Sequence, residues 1–238
     1  MPDSGRDKPV RPKVVALVPA AGRGERLGLA MPKALVPVRG VPLLAHALQG
    51  LFASGRVDQV VVAAPPDHVE EFTAVVRPFG DSCRVVAGGS DRTSSVRRAL
   101  DAVEAGSCDV LLVHDAARAF TPPEVVHGVV DAIAGGAQAA VPVLPVTDTI
   151  KVVDAAGVIT ATQDRTSLRA VQTPQGFTEA VLRAAYAASV DATTDDAGLV
   201  ERLGGRVQTV AGHHHAMKIT TVFDLAVAEA VLAEAEQR

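Results

Sequence analysis

Short runs of unbroken apolar residues recur down this chain, each followed by a helical pattern, and no other feature constrains its fold as tightly. The first begins at Val14 and reads V-V-A-L-V-P; others lie at Val57–Ala63, Arg84–Ala87, Asp109–His114 and Ala137–Leu144. A strand without polar alternation is buried on both faces, as in a parallel sheet. The intervening helices read as Pro42–Ser54, Pro66–Arg77, Ser90 or Asp91 to about Ala105, and Pro122–Ala134. Pro at the first turn supports the first of them. The alternation predicts an α/β, three-layer, Rossmann-like fold: a mostly parallel central sheet with helices on both faces and ligands at the carboxyl ends of the strands.

The rhythm changes at Pro145. Thr149–Thr160 (T-I-K-V-V-D-A-A-G-V-I-T) has two β-branched runs around an Asp-Ala-Ala-Gly turn, a hairpin rather than a crossover. A lone two-stranded arm is marginal in water, so it is expected to project and pair with the same arm of a second subunit. Helices follow at Thr178–Ala188 and Asp195–Leu203, then strands at Arg206–Val210 and around Met217–Thr220, and a closing helix from about Thr221. The division expected is a flexible tail over 1–12 and a single domain over 13–238, with the β-arm at about 145–172.

Composition narrows the function. Hydrophobic residues make up 48% of the chain but aromatics only 3%, so the core must be Val, Leu and Ala, and base-stacking platforms are not to be expected. A net charge of −4 argues against a nucleic-acid surface. Cys83 and Cys108 make neither a disulfide framework nor a C-x-x-C pair, and read as buried, reduced thiols. The tail has no apolar signal region, and no run approaches the ~20 apolar residues of a membrane span. A soluble, cytoplasmic protein is expected.

The chemistry gathers at strand ends. After the first strand come Ala20, Ala21, Gly22 and Gly24, whose small side chains let backbone N–H groups approach an anion, then the cations Arg26 and Lys33. After Val86 come Gly88, Gly89, Ser90, Asp91, Arg92 and Ser95; after Val113 come His114, Asp115 and Arg118. A polyphosphate is the ligand such a set suits, and a carboxylate beside it is a natural place for Mg²⁺. A dinucleotide fingerprint fails, because Gly22, Gly24 and Gly28 run one residue too long and no acidic residue follows at the required distance. No Walker loop is present. Read singly, Arg26 and Lys33 are solvated cations and Ser95 a first-turn stabiliser; Asp115 could cap a helix, but its place after an apolar strand favours a metal role. His213-His214-His215 reads as a solvated loop, since no Cys or carboxylate motif joins it to make a metal site.

The motifs in series carry more than any one of them. A-A-G-x-G-x-R-L and Pro32-Lys33 are followed by G-G-S-D-R-T-S-S-V (Gly88–Val96), V-H-D-A-A-R (Val113–Arg118) and D-T-I-K (Asp148–Lys151). Next come D-R (Asp164-Arg165), Q-T-P-Q (Gln172–Gln175), T-D-D-A (Thr194–Ala197) and M-K-I-T (Met217–Thr220). In this order, over nearly the whole chain, they resemble the 2-C-methyl-D-erythritol 4-phosphate cytidylyltransferase family of the non-mevalonate isoprenoid pathway. The resemblance implies a nucleotidyltransferase fold, a Mg²⁺-dependent reaction of CTP with methylerythritol phosphate, and a homodimer with interlocked arms. It implies that Ala20, Ala21, Gly22, Gly89 and Ser95, with Asp91, hold the nucleotide, and that Gly24 brings backbone to the triphosphate. Arg26, Lys33 and Lys218 would surround the α-phosphate, and Asp115 would place the metal. Arg118, Thr173, Thr194 and Lys218 would face the sugar phosphate, whose 4-phosphate would meet Thr149 and Arg165 of the partner's arm. Thr149, Thr173, Thr194 and Lys218 rest on the resemblance alone. Ala119 departs from the Pro common there, which bears on loop rigidity. Two alternatives stay open: the same chemistry on another polyol phosphate such as ribitol 5-phosphate, and a non-catalytic nucleotide sensor.

Overall fold

A computed structural model of the chain describes residues 11–22, 31–189 and 195–235. Its strands and α-helices, in chain order, begin with β1 (Val14–Pro19), β2 (Pro37–Val38), β3 (Val41–Pro42), α1 (Leu43–Ala53), β4 (Gln59–Ala64), α2 (Val69–Val76), β5 (Cys83–Ala87) and α3 (Arg92–Asp101). There follow β6 (Val110–Val113), α4 (Pro123–Ala134), β7 (Ala139–Pro145), β8 (Lys151–Val153), β9 (Ile159–Thr162), β10 (Arg169–Val171) and β11 (Gln175–Thr178). The chain closes with α5 (Glu179–Ala188), α6 (Ala197–Arg202), β12 (Val207–Ala211) and α7 (Val222–Ala235). The main sheet runs β10-β7-β11-β6-β1-β4-β5, with β12 also on β7. The pairs β6–β1, β1–β4, β4–β5 and β7–β12 are parallel, whereas β11 and β10 run antiparallel to their neighbours.

The period of two along each strand divides the core into two layers. Val14, Ala16 and Val18 face Leu44, Leu48, Phe72, Val126 and Val130 of α1, α2 and α4. Val15 and Leu17 face Val96, Leu100, Leu182 and Leu199 of α3, α5 and α6. Every residue from Val14 to Val18 is at most 1% exposed, so burial on both faces replaces the alternation a one-sided sheet would show. The path β1→β4→β5 builds outward in one direction and then returns to place β6 on the other side of β1. The crevice between the carboxyl ends of β1 and β6 is therefore the point where the strand order reverses, the usual ligand position in such sheets.

Several expectations need correction. Helix α3 ends at Asp101, not near Ala105, because the chain turns at Ala102–Gly106 with Gly106 at φ +76°. Met217–Thr220 is not a strand: Ile219 N–H bonds to Ala117 O at 2.9 Å, but no ladder forms. The sequence reading also missed β10 and β11. Gln175-Gly176-Phe177-Thr178 carries little strand propensity and follows a cis Thr173–Pro174 bond, yet it fills the centre of the sheet. A Cβ on Gly176 would lie 2.4 Å from Val129 Cγ1, so the strand fits beneath α4 only without a side chain. Gly176→Ala is expected to lower stability by ~1–3 kcal/mol through overpacking, read as a fall in thermal midpoint.

The arm is a hairpin of β8 and β9, its turn tied by Asp154 Oδ1 accepting the N–H groups of Ala156 and Val158, both at 2.9 Å. Because β10 pairs with β7, the last part of the 145–172 span belongs to the main sheet. The arm's apolar residues are open, Val153 at 55%, Val158 at 60% and Ile159 at 59% exposure. Cys83 and Cys108 are buried, and burial pushes each thiol up to about 12. Thiolate is the reactive form, so neither should react with a disulfide reagent at pH ~8 until the chain is unfolded.

Candidate active site

Three loops at the carboxyl ends of β1, β5 and β6, together with Lys218 and Thr220 before α7, line a cavity of about 470 Å³. On the first, Ala20 N–H bonds to Ala63 O (2.9 Å) and Lys33 N–H to Gly22 O (3.1 Å), so Lys33 is held beside the start of the small-residue loop. Ala20, Ala21, Gly22 and Lys33 all line the cavity. Gly24 and Arg26 lie outside the described residues.

The second loop is shaped by contact. Gly88 N–H bonds to Ala64 O at 2.6 Å, and a Cβ on Gly89 would sit 2.1 Å from Ser94 Oγ. Asp91 caps α3: its carboxylate accepts Ser94 N–H (2.8 Å) and Ser94 Oγ accepts Asp91 N–H (3.1 Å), a reciprocal arrangement that also holds the Asp91 carboxyl below its usual range. Ser95 Oγ accepts Gly89 N–H (3.1 Å) and donates to Asp91 O (2.7 Å). Ser95 thus ties the glycine loop to the helix, while Asp91 and Ser95 both line the cavity. Gly89 lines a second opening, continuous with the first through Ala21 and Ser90.

Asp115 is the electrostatic centre. It is no helix cap, since no helix follows it. Its Oδ1 accepts from Arg92 Nε (3.1 Å) and its Oδ2 meets Lys218 Nζ (2.7 Å). Burial alone would raise its pKa, but Arg92 and then Lys218 outweigh burial and hold it well below the usual carboxylate range. Its backbone N–H bonds to Thr173 Oγ1 at 3.1 Å, and the same hydroxyl lies 3.1 Å from His114 Nδ1. Burial pushes His114 down to about 4, so neutrality is its state at physiological pH. Thr173, only 5% exposed, supports Asp115 from beneath.

Arg92 reaches further. Its Nη2 bonds to Asp196 Oδ2 at 2.6 Å, and Asp196 Oδ1 accepts the Tyr186 hydroxyl at 2.5 Å. Burial opposes the charge of Arg92, but Asp196 and Asp115 override it and raise its pKa. Neither residue carries a role legible in the sequence, because nothing in D-R-T or T-D-D-A says that Arg92 and Asp196 meet across 104 positions.

Other expected residues are placed elsewhere. Arg118 donates to Ala216 O (2.7 Å) and Val171 O (3.2 Å), fastening the segment before Lys218 to β10. Thr149 and Arg165 lie on the exposed arm, away from the cavity of their own chain, and Arg165 donates to Thr147 O. Thr194 lies outside the described residues. The histidine run forms a short 3₁₀ turn, with His213 Nδ1 accepting His215 N–H and Gln172 gripping the His213 backbone at 2.9 and 3.0 Å. Among the described residues, no three His, Cys, Asp or Glu side chains cluster as a metal cage, and no helix is long and apolar enough to cross a membrane.

The likenesses agree with this geometry. A family model described as IspD: 2-C-methyl-D-erythritol 4-phosphate cytidylyltransferase matches residues 14–234. The chain is 63% identical over 222 residues to a protein of that name from Saccharopolyspora erythraea, covering 92% of this chain and 99% of the relative. It is 58% identical over 219 residues to one from Nocardia farcinica, covering 92% and 94%. The solved cytidylyltransferase of Thermus thermophilus superposes with a TM-score of 0.76 at 37% identity, covering 93% of this chain and 99% of the other. The Anaerococcus prevotii synthase superposes at 0.81 with 26% identity, covering 94% and 100%. A match from the first core strand to the last helix takes in all three loops of the cavity, and the chain belongs to the 2-C-methyl-D-erythritol 4-phosphate cytidylyltransferase family.

Proposed function

We propose that this chain transfers CMP from CTP to 2-C-methyl-D-erythritol 4-phosphate, giving 4-diphosphocytidyl-2-C-methyl-D-erythritol and pyrophosphate. The observation that carries the reading is the convergence of Lys33, Lys218 and Asp115 on one cavity at the reversal of strand order, beneath a loop of small residues. An oxygen of the acceptor's phosphate forms a bond to the α-phosphorus while the bond from that phosphorus to the pyrophosphate oxygen breaks. The nucleophile is already an anion near neutral pH, so no side chain need deprotonate it. The task is to hold two anions together and to stabilise the charge that builds on the five-coordinate phosphorus.

Lys33 and Lys218, with Arg26 from the intervening segment, fill that role as cations fixed around the α-phosphate. Ala20, Ala21, Gly22, Gly89 and Ser95 enclose the nucleoside, and Gly24 keeps backbone close to the triphosphate. Asp91 holds the helix start in place beside it. A divalent cation such as Mg²⁺ suits the donor set, because it takes one or two carboxylates and completes its shell with phosphate oxygens and water. Asp115 would be the carboxylate that meets it, with further lone pairs on both oxygens, while the Asp91 carboxylate is engaged in capping α3. The ion, when bound with CTP, supplies charge neutralisation at the leaving pyrophosphate. On the acceptor side the reading places Arg118, Thr173 and Thr194, with Thr149 and Arg165 from a second subunit. The exposed apolar strip of the arm favours that homodimer, since Ile150, Val152 and Val158 would be covered there.

The test is pyrophosphate release by the purified protein with CTP and Mg²⁺, comparing methylerythritol phosphate with ribitol 5-phosphate. Release with the first is expected. Preference for the second would retain the cation chemistry and overturn the acceptor. CTP binding without release on either would make the chain a nucleotide sensor.

A further inference from the structure

The interaction of Arg92 with two carboxylates has no place in the transfer as described so far. Asp196 is fully buried, at 0% exposure, and cannot touch either substrate. Its carboxylate is nevertheless oriented at both oxygens, by the Tyr186 hydroxyl at 2.5 Å and by Arg92 Nη2 at 2.6 Å. Its backbone is fixed as well: the N–H groups of Asp196 and Ala197 both bond to Gln175 Oε1, at 3.1 and 3.0 Å. Arg92, the first residue of α3, presents Nη2 to Asp196 and Nε to Asp115 at 3.1 Å. A guanidinium is planar and its N–H directions are fixed, so holding Nη2 sets where Nε points. Asp115 then offers its other oxygen to Lys218 Nζ at 2.7 Å.

On the reading of the site given above, we propose that Asp196 is a positioning residue for the transfer, acting through Arg92 on Asp115 and thereby on the Lys218 ammonium. Tyr186 on α5, Asp196 before α6, Arg92 on α3 and Asp115 after β6 form one hydrogen-bonded series that ends in the cavity. Stability alone is a poor reason for it, because a buried ion pair is often replaced by apolar side chains without loss. What the series provides is direction. Arg92 is 23% exposed and itself lines the cavity, so without Asp196 its guanidinium is free to swing towards the phosphates. Asp115 would then turn with it, and Lys218 would lose its bearing on the α-phosphate. Misplacement of a charged group by a fraction of an ångström slows the chemical step while leaving ground-state binding of CTP nearly unchanged.

The experiment is steady-state kinetics of Asp196→Asn, Arg92→Lys and the double variant beside the wild type, with kcat taken per folded enzyme from thermal unfolding. Asp196→Asn is expected to lower kcat about tenfold with the KM for CTP within about twofold of wild type. Because Asp196 acts through Arg92, the double variant should be no slower than the slower single variant, and the loss of kcat per folded enzyme at an unchanged KM is the part that a merely structural role would not produce. Should Asp196→Asn fail to fold, Tyr186→Phe keeps both charges, removes one hydrogen bond, and should lower kcat about threefold in the same pattern. Unchanged kcat in folded Asp196→Asn overturns the proposal. So does a rise in the KM for CTP with kcat retained, which would make Arg92 a direct nucleotide ligand, and so do multiplicative losses in the double variant. Wild-type turnover in the same assay keeps these failures distinct from failure of the functional reading.

Discussion

Lys218→Ala is expected to lower kcat about a hundredfold, ~3 kcal/mol at the barrier, with a much smaller effect on CTP binding. The ammonium lies at the mouth of the cavity, 43% exposed on the side chain, and is steered by Asp115 Oδ2 at 2.7 Å. An exposed cation contributes little to binding a ground-state anion in water, which screens it. Its contribution grows as charge builds on the α-phosphorus in a site from which the substrates have excluded water. Single-turnover measurement at saturating CTP separates these effects. A loss confined to KM would make Lys218 a binding residue only. The same comparison applies to Lys33→Ala and Arg26→Ala, which remove the other cations assigned to the α-phosphate.

Asp115→Asn is expected to damage both stability and activity. The carboxylate answers Arg92 and Lys218, and Arg118 is also within its field. The amide leaves those cations facing one another with only Asp196 to balance them. Removing one member of a buried charge pair costs about 3 kcal/mol, for a chain of this length a fall in thermal midpoint of roughly 6–12 °C. Activity should fall by at least about a hundredfold at fixed Mg²⁺. If Asp115 holds the metal with CTP, higher Mg²⁺ should recover part of that loss, whereas no gain across a wide Mg²⁺ range would leave it an organiser of cations only. Calorimetry of the apo variant measures the stability part independently of turnover.

The contrast between these residues and others shows what a sequence can disclose. β1, β4 and β6 were readable because burial on both faces forces an unbroken apolar run, and that constraint is written locally. β11 was not, because its place in the sheet depends on a missing side chain at Gly176 and on partners more than thirty positions away. Lys33 and Asp115 stand beside recognisable strand ends and were visible as candidates. Lys218 follows no such signal and came only through likeness to a family. Arg92 and Asp196 were invisible as a pair, since their meeting is a product of folding. Thr173 likewise came through likeness, and the contacts of its hydroxyl with the Asp115 backbone N–H and His114 are a product of folding. Chemistry written in a contiguous motif is legible, and support assembled from distant segments is not.

The central claim is that the acceptor's own phosphate attacks the α-phosphorus of CTP within the cavity between β1 and β6. Heavy-oxygen labelling of the terminal phosphate oxygens of methylerythritol phosphate tests it directly, with the products resolved by mass spectrometry. The account predicts that every labelled oxygen is retained in the cytidine diphosphate product, one of them as the new bridge, and that the released pyrophosphate carries none. Loss of a labelled oxygen from the product would place the attack on the acceptor's phosphorus, and the absence of any such product would remove the activity itself.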